Sequence, residues 1–282
     1  MIAALVLLAG GAAAGVFGSL LGLGGGILIV PLLTLGFGLP LREAVAVSLV
    51  SVIVTSSASA GVYLQRHVAN LRLGMVLELF SALGALIGGL VAFLLSEQAL
   101  AGLFAALLVW VGVSMLRRRD DAPAMAAIAP GPGTSVTPSL IVPEPAGRPF
   151  IDTLSGPGYR VHSLPLGVTG SLFAGLVSAL LGVGGGIVKV PTMHLLMGVP
   201  LKVATATSNM MIGITATSSA VIYLLRGQLD PFVGGPTALG VFAGAMVGTR
   251  IAHRIDARIL RWLFVIVLAY TAIQMAQKAL GL

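Results

Sequence analysis

Apolar positions fall in long runs along this chain, and the polar ones collect mainly between them. No charged residue occurs before Arg42, and further apolar runs lie near 44–65, 73–96, 99–116, 163–188, 203–225, 231–249 and 262–277. About 20 apolar residues are what a helix needs to cross a bilayer. The pattern predicts two segments flanking a glycine break in each half, then three longer helices. These fall near 42–65, 72–95 and 98–117 in the first half, and near 202–225, 232–255 and 258–278 in the second. The first run is too long, too glycine-rich and too like later segments to be a cleaved signal peptide.

The two halves share a register. Adding 160 to Gly22, Gly24, Gly25, Gly26 and Pro31 gives Gly182, Gly184, Gly185, Gly186 and Pro191, and Pro40, Ser48, Thr55, Tyr63, Arg66, Gly84 and Gly88 also meet their own kind. Two unrelated apolar stretches would not match at glycine, proline and hydroxyl positions together, so the chain is a duplicated unit. The segment between the copies holds eight of the 15 prolines, which reads as a flexible tether. The expected organisation is a first transmembrane repeat over 1–117, a Pro/Gly-rich linker over 118–162 and a second repeat over 163–282.

Composition fixes the class. The chain is 57% hydrophobic and 9% charged, where soluble domains carry about 25% charged residues, so it is an all-α polytopic membrane protein. The net charge of +7 is dispersed at segment ends, which argues for orientation in the membrane rather than for nucleic acid. Absence of cysteine excludes disulfides and thiolate chemistry, and four scattered histidines suggest neither a metal site nor a cofactor. No Ser/His/Asp or paired-carboxylate arrangement recommends an enzyme.

If each broken segment forms a hairpin, each half crosses the membrane an odd number of times and the repeats are inverted. The positive charge agrees. With the linker inside, Arg66, Arg72, Arg117–Arg119, Lys202, Arg250, Arg254, Arg258 and Arg261 are cytoplasmic, and only Arg42, Arg226 and Lys278 lie outside with the termini.

A break inside a membrane leaves backbone groups unpaired and persists where protein, water or ligand satisfies them. Gly24, Gly25, Gly26 and Gly184, Gly185, Gly186 allow such a break, and the segments after them, 27–37 and 187–197, open with N–H groups that attract anions. Lys189 has Ile29 as its counterpart and faces a cost of roughly 3 kcal/mol near the bilayer centre, so it either meets an anion or snorkels. A polar stripe runs along the third segment of each half: Ser48, Ser51, Thr55 and Ser59, then Thr205, Ser208, Asn209, Thr215 and Ser219. Such stripes serve helix–helix contact as well as substrate, and Asn209 is the member best suited to a ligand. Glu78, early in its helix, is a candidate for proton coupling.

The motifs "GLGGGILIVPLL" and "GVGGGIVKVPTM", followed by "LPLREAVAVSL", "VPLKVATATSNMMIGITATSSAVIYLLRGQLDP" and "GVFAGAMVGTRIAHRIDARILRWLF", resemble the TauE/SafE sulfite exporter family. The resemblance covers both halves and omits the linker. It implies a secondary transporter, an exporter of small organosulfur anions such as sulfite, sulfoacetate or other sulfonates, in the cytoplasmic membrane of a prokaryote. The expected site joins the two glycine breaks, Lys189, Ser48, Thr55, Ser208, Asn209 and Thr215 near the midplane, with alternating access between the halves. Its partners are the small anion and the lipid bilayer. An inside-negative potential alone would drive such export. A passive anion channel, or a carrier of another small anion, is the alternative.

Overall fold

In the computed structural model, which describes residues 2–21, 26–65, 69–117, 154–156, 159–251 and 257–281, the protein is all-helical. The first half contains α1 (Ile2–Leu21), α2 (Gly26–Pro31), α3 (Leu41–Gln65), α4 (Leu71–Leu94) and α5 (Glu97–Arg117). The second half contains α6 (Leu164–Leu181), α7 (Gly186–Pro191), α8 (Leu201–Leu225), α9 (Pro231–Ile251) and α10 (Ala257–Leu280). Five of these are long and apolar enough to cross a membrane, by length and composition, and shorter apolar helices accompany them. The outer faces carry the side chains lipid tails accept, as on α4, where Leu79 is 63% and Leu94 84% exposed.

The short helices after the breaks end alike. Pro31 and Pro191 lack the N–H that would continue the ladder, and each is followed by a π-helical turn, Leu32–Gly36 and Thr192–Leu196. Thr34 returns its hydroxyl to Val30 O, as Thr192 does to Val188 O. Leu39 N donates to Leu33 O and Val199 N to Met193 O, at 3.2 and 3.0 Å. Gly38 and Gly198, at φ +68° and +72°, then turn the chain into the next helix. The sequence register is thus a conformational register.

Helix pairing crosses between the halves. α1 packs on α9 and α4 on α6, each pair running parallel with backbones brought together by glycine. Gly11 and Gly15 lie against the backbone of Thr237 and Val241, and Gly244 against Ala12. In the other pair Gly84 and Gly88 lie against Leu172 and Leu176, and Gly175 against Ser81 and Ala85. Small residues of this kind drive helix association in lipid, where no hydrophobic effect does.

α3 and α8 occupy equivalent positions 160 residues apart and run antiparallel. Arg42 at the start of α3 and Arg226 just after α8 both place guanidinium groups over the Phe93 ring, at 5.6 and 5.2 Å, while Ser56 Oγ donates to Asn209 O at mid-length. Arg42 also donates to Leu95 O at 2.6 Å, closing the C-terminal end of α4. Arg42 and Arg226 therefore share one end of the bundle. Arg72 and Lys202 share the other, where Asn70 N meets Thr207 Oγ1 at 2.9 Å.

The proline-rich composition predicted a tether, yet its last described residues pack against this second end. Leu154 and Val161 are buried with Leu73, Leu77, Met193 and Met197. Asn70 caps α4 by accepting from Leu73 N, and its amide donates to Leu154 O and Tyr159 Oη, both at 2.8 Å. Asn70→Ala removes the cap and strands a buried carbonyl. It should lower stability by about 2 kcal/mol in an SDS titration and expose residues 154–162 to protease. Unchanged proteolysis would show that the segment is held by its apolar contacts alone.

Candidate functional site

The second break meets Gly26, the first described residue after the first glycine run, inside the bundle. Ser48 on α3 places Oγ 2.7 Å from Gly182 O and 3.2 Å from Gly26 O, so one hydroxyl touches both broken segments. Gly26 lies directly against Gly182, where a Cβ would fall 2.6 Å from the carbonyl oxygen. Gly24 and Gly25 lie outside the described residues.

At the second break Gly182, Gly184 and Gly185 have φ of +69°, +83° and +74°, which glycine alone adopts without strain. Gly185 O accepts from Val188 N and Lys189 N and so starts α7. The break is enclosed by Val52 of α3 and Ile212 of α8, both in contact range of Gly184. Ser178 stands beside Gly185, and Ser208 beside Gly186. Their hydroxyls, with that of Thr205 one turn away, are buried and have no hydrogen-bond partner among the described residues. An unpartnered buried hydroxyl costs about 1–3 kcal/mol. A left-handed residue followed by a right-handed helical one, as Gly185 and Gly186 are, also turns successive N–H groups to one side. Three buried hydroxyls thus stand around the second break with no partner among the described residues.

Lys189 does not snorkel and turns to α4 and α8. Its side chain is 1% exposed, and its ammonium group sits 3.0 Å from Glu78 Oε2 on α4 and 2.5 Å from Thr215 Oγ1 on α8. Thr215 donates to Glu78 Oε1 at 2.6 Å, with Met211 O at 3.1 Å as a second acceptor, and Ser81 Oγ lies 3.2 Å away. The network joins α7 of the second half to α4 of the first.

The residues expected from sequence therefore divide in two. Gly26, Ser48, Gly184, Gly185, Gly186 and Ser208 gather at the breaks. Lys189, Thr215 and Glu78 form the buried ion pair one turn of α7 further on. Thr55 returns its hydroxyl to Ser51 O and Val52 O of its own helix. Asn209 meets α3 through its main-chain oxygen. Ser178 and Ser81 were not anticipated, nor was Glu78 as the partner of Lys189. The sequence marks the carboxylate but not its partner, since Glu78 is the one acidic residue more than one turn inside a predicted helix.

Comparison with known proteins agrees in extent with the duplicated bundle. No solved structure matches the chain. It is similar to the "Probable membrane transporter protein YunE" of Bacillus subtilis, at 25% identity over 98% of both chains. It is also similar to the "Probable membrane transporter protein MamO" of Magnetospirillum gryphiswaldense, at 26% identity over 93% of this chain and 43% of that one. A shorter match, 32% identical over 37% of this chain and 23% of the other, is to "Sulfite exporter TauE/SafE family protein 1" of Arabidopsis thaliana. The family model described as Sulfite exporter TauE/SafE matches residues 7–275, so this multi-pass membrane protein belongs to that transporter family.

Proposed function

We propose that the chain is a secondary transporter that exports small organosulfur anions, sulfite or a sulfonate such as sulfoacetate, across the cytoplasmic membrane of a prokaryote. Its two repeats, 1–117 and 163–282, are inverted, with the linker cytoplasmic and the termini outside. The antiparallel course of α3 and α8 supports that reading, as does the gathering of Arg42 and Arg226 at one end. The substrate binds at the glycine breaks and is exposed to each side in turn.

One observation carries the reading: beside Gly185 and Gly186, at a break inside the bundle, Ser178 and Ser208 hold buried hydroxyls with no partner among the described residues. The oxygens of a sulfite or sulfonate group accept several hydrogen bonds at once and suit that set of donors. A chloride-sized ion would satisfy fewer of them.

The test is thermal unfolding of the purified full chain in detergent with sulfite, sulfoacetate, taurine, thiosulfate, sulfate and simple carboxylates. A substrate at about 100 times its Kd should stabilise the native state by about 2.7 kcal/mol. Ser208→Ala and Ser178→Ala should keep or raise the anion-free Tm, because each removes an unsatisfied group, and should lose most of the anion response. If no anion stabilises the wild-type chain, or both variants respond as it does, the site lies elsewhere.

A further inference from the structure

The ion pair stands in only one of the two repeats. The positions matching Lys189 and Glu78 are Ile29 and Ala238, both buried, and the first hairpin closes through the same proline, π-helical turn and left-handed glycine without a charge. A salt bridge is therefore not needed to shape a hairpin of this kind. Burying one costs desolvation that apolar residues avoid. The second repeat bears that cost beside the break where Ser178 and Ser208 stand without partners among the described residues.

We propose that Glu78 and Lys189 couple each anion to one proton, so that the protein moves the anion and the proton together. The inference rests on the anion site described above. Lys189 lies one turn from Gly186, and its side chain is long enough to leave Glu78 for an anion at the break. That move would strand the Glu78 carboxylate in a place 5% exposed, with no other cation in ion-pair distance among the described residues. A proton from water resolves it. One O–H bond forms on Glu78, Lys189 keeps its three protons, and carboxylate, ammonium, anion and proton become carboxylic acid plus ammonium–anion pair, with the net charge unchanged and equal to zero for a monoanion.

Thr215 is placed to permit the exchange. Its hydroxyl now donates to Glu78 Oε1 and receives from Lys189; when Glu78 is protonated it can turn its own proton to Met211 O, 3.1 Å away, and accept from the acid. In that arrangement the acid proton and the Thr215 hydroxyl each keep an acceptor, and Glu78 Oε2 is the atom that gives up its partner.

The other titratable groups on the surrounding elements stand away from this pair. α6 has none, and α8 has Lys202 in its first turn and Tyr223 at its far end. Arg72 lies in the first turn of α4. Tyr159, Arg160 and His162 belong to the packed segment before α6, and His194 is bonded to Val199 O. With a monoanion the coupled cycle is electroneutral, so flux follows the product of anion and proton concentrations and not the membrane potential; a dianion such as sulfoacetate carries one net negative charge with its proton.

The experiment uses the full chain in detergent with methanesulfonate and sulfoacetate, whose charges are constant between about pH 6 and 8. Anion Kd is measured across that range, and proton uptake is followed with a pH indicator in weak buffer. Wild type should take up about one proton per anion, and its Kd should rise about tenfold per pH unit while free Glu78 is ionised. Glu78→Gln should bind with a Kd independent of pH and without proton uptake. The neutral pair Glu78→Ala with Lys189→Ile copies the first repeat and guards against a misfolded single variant; it should show no proton uptake at any occupancy. Anion binding by wild type without proton uptake, or uptake persisting in either variant, overturns the coupling while leaving the anion site intact. If no anion binds wild type at any pH, the site itself fails and the coupling with it.

Discussion

Lys189→Met is expected to be the most damaging conservative substitution in the chain, lowering stability by about 3–5 kcal/mol in an SDS titration. The loss comes from what is left behind. Glu78 is 5% exposed and takes its charge partner from Lys189 alone among the described residues, so removing the ammonium leaves a carboxylate buried with only a hydroxyl donor. The double substitution Glu78→Ala with Lys189→Ile removes both charges and installs the residues that stand at these positions in the other repeat, Ala238 and Ile29, both buried. It should recover most of the loss, because a buried pair replaced whole by apolar groups is often neutral or better. A double variant as unstable as Lys189→Met would mean that the methylene stem, and not the charge, holds α7 in place.

Gly175→Ala is expected to cost about 3 kcal/mol, large for a single methyl group. A Cβ there would overlap the backbone of Ser81 and Ala85 on α4, and backbone cannot rotate aside as a side chain can. The helices would have to separate along their whole contact, losing the close packing that substitutes for the hydrophobic effect in lipid. Gly112 on α5 supplies the control, since nothing lies within 4 Å of the Cβ it would gain. Gly112→Ala should leave stability unchanged or raise it by up to about 1 kcal/mol through helix propensity. Equal effects at the two positions would show that the α4–α6 contact is loose in the membrane.

Much of the fold was legible in the sequence because bilayer thickness and repetition both write themselves into it. The expected helix over 42–65 is α3 at Leu41–Gln65, and that over 202–225 is α8 at Leu201–Leu225, since apolar run length and the Gly-x-Pro steps before them fix both ends. The breaks were legible as glycine runs, and their meeting through Ser48 as a polar stripe in register with them. Pairing of Lys189 with Glu78 was not legible from local pattern. It spans 111 positions and exists because α7 of one half packs beside α4 of the other. Ser178 was hidden for a different reason. A helical serine ordinarily returns its hydroxyl to the preceding turn, as Ser51 does to Val47 O, and only packing reveals that Ser178 has no such bond. The end of the linker was misjudged because composition averages over 118–162, while Leu154 and Val161 dock individually.

The crossed glycine contacts have a consequence for how the chain is made. Among the described residues α1 packs most closely on α9, and Gly11 and Gly15 face Thr237 and Val241, more than two hundred residues later in synthesis. At about 5–20 residues per second, the first helix enters the bilayer roughly 10–50 s before its match exists. α4 likewise waits for α6 across the whole linker. During that interval the glycine faces of the first half lie open to lipid or to the insertion machinery. The half-made protein is therefore the stage at which a membrane chaperone or a quality-control protease has most to recognise.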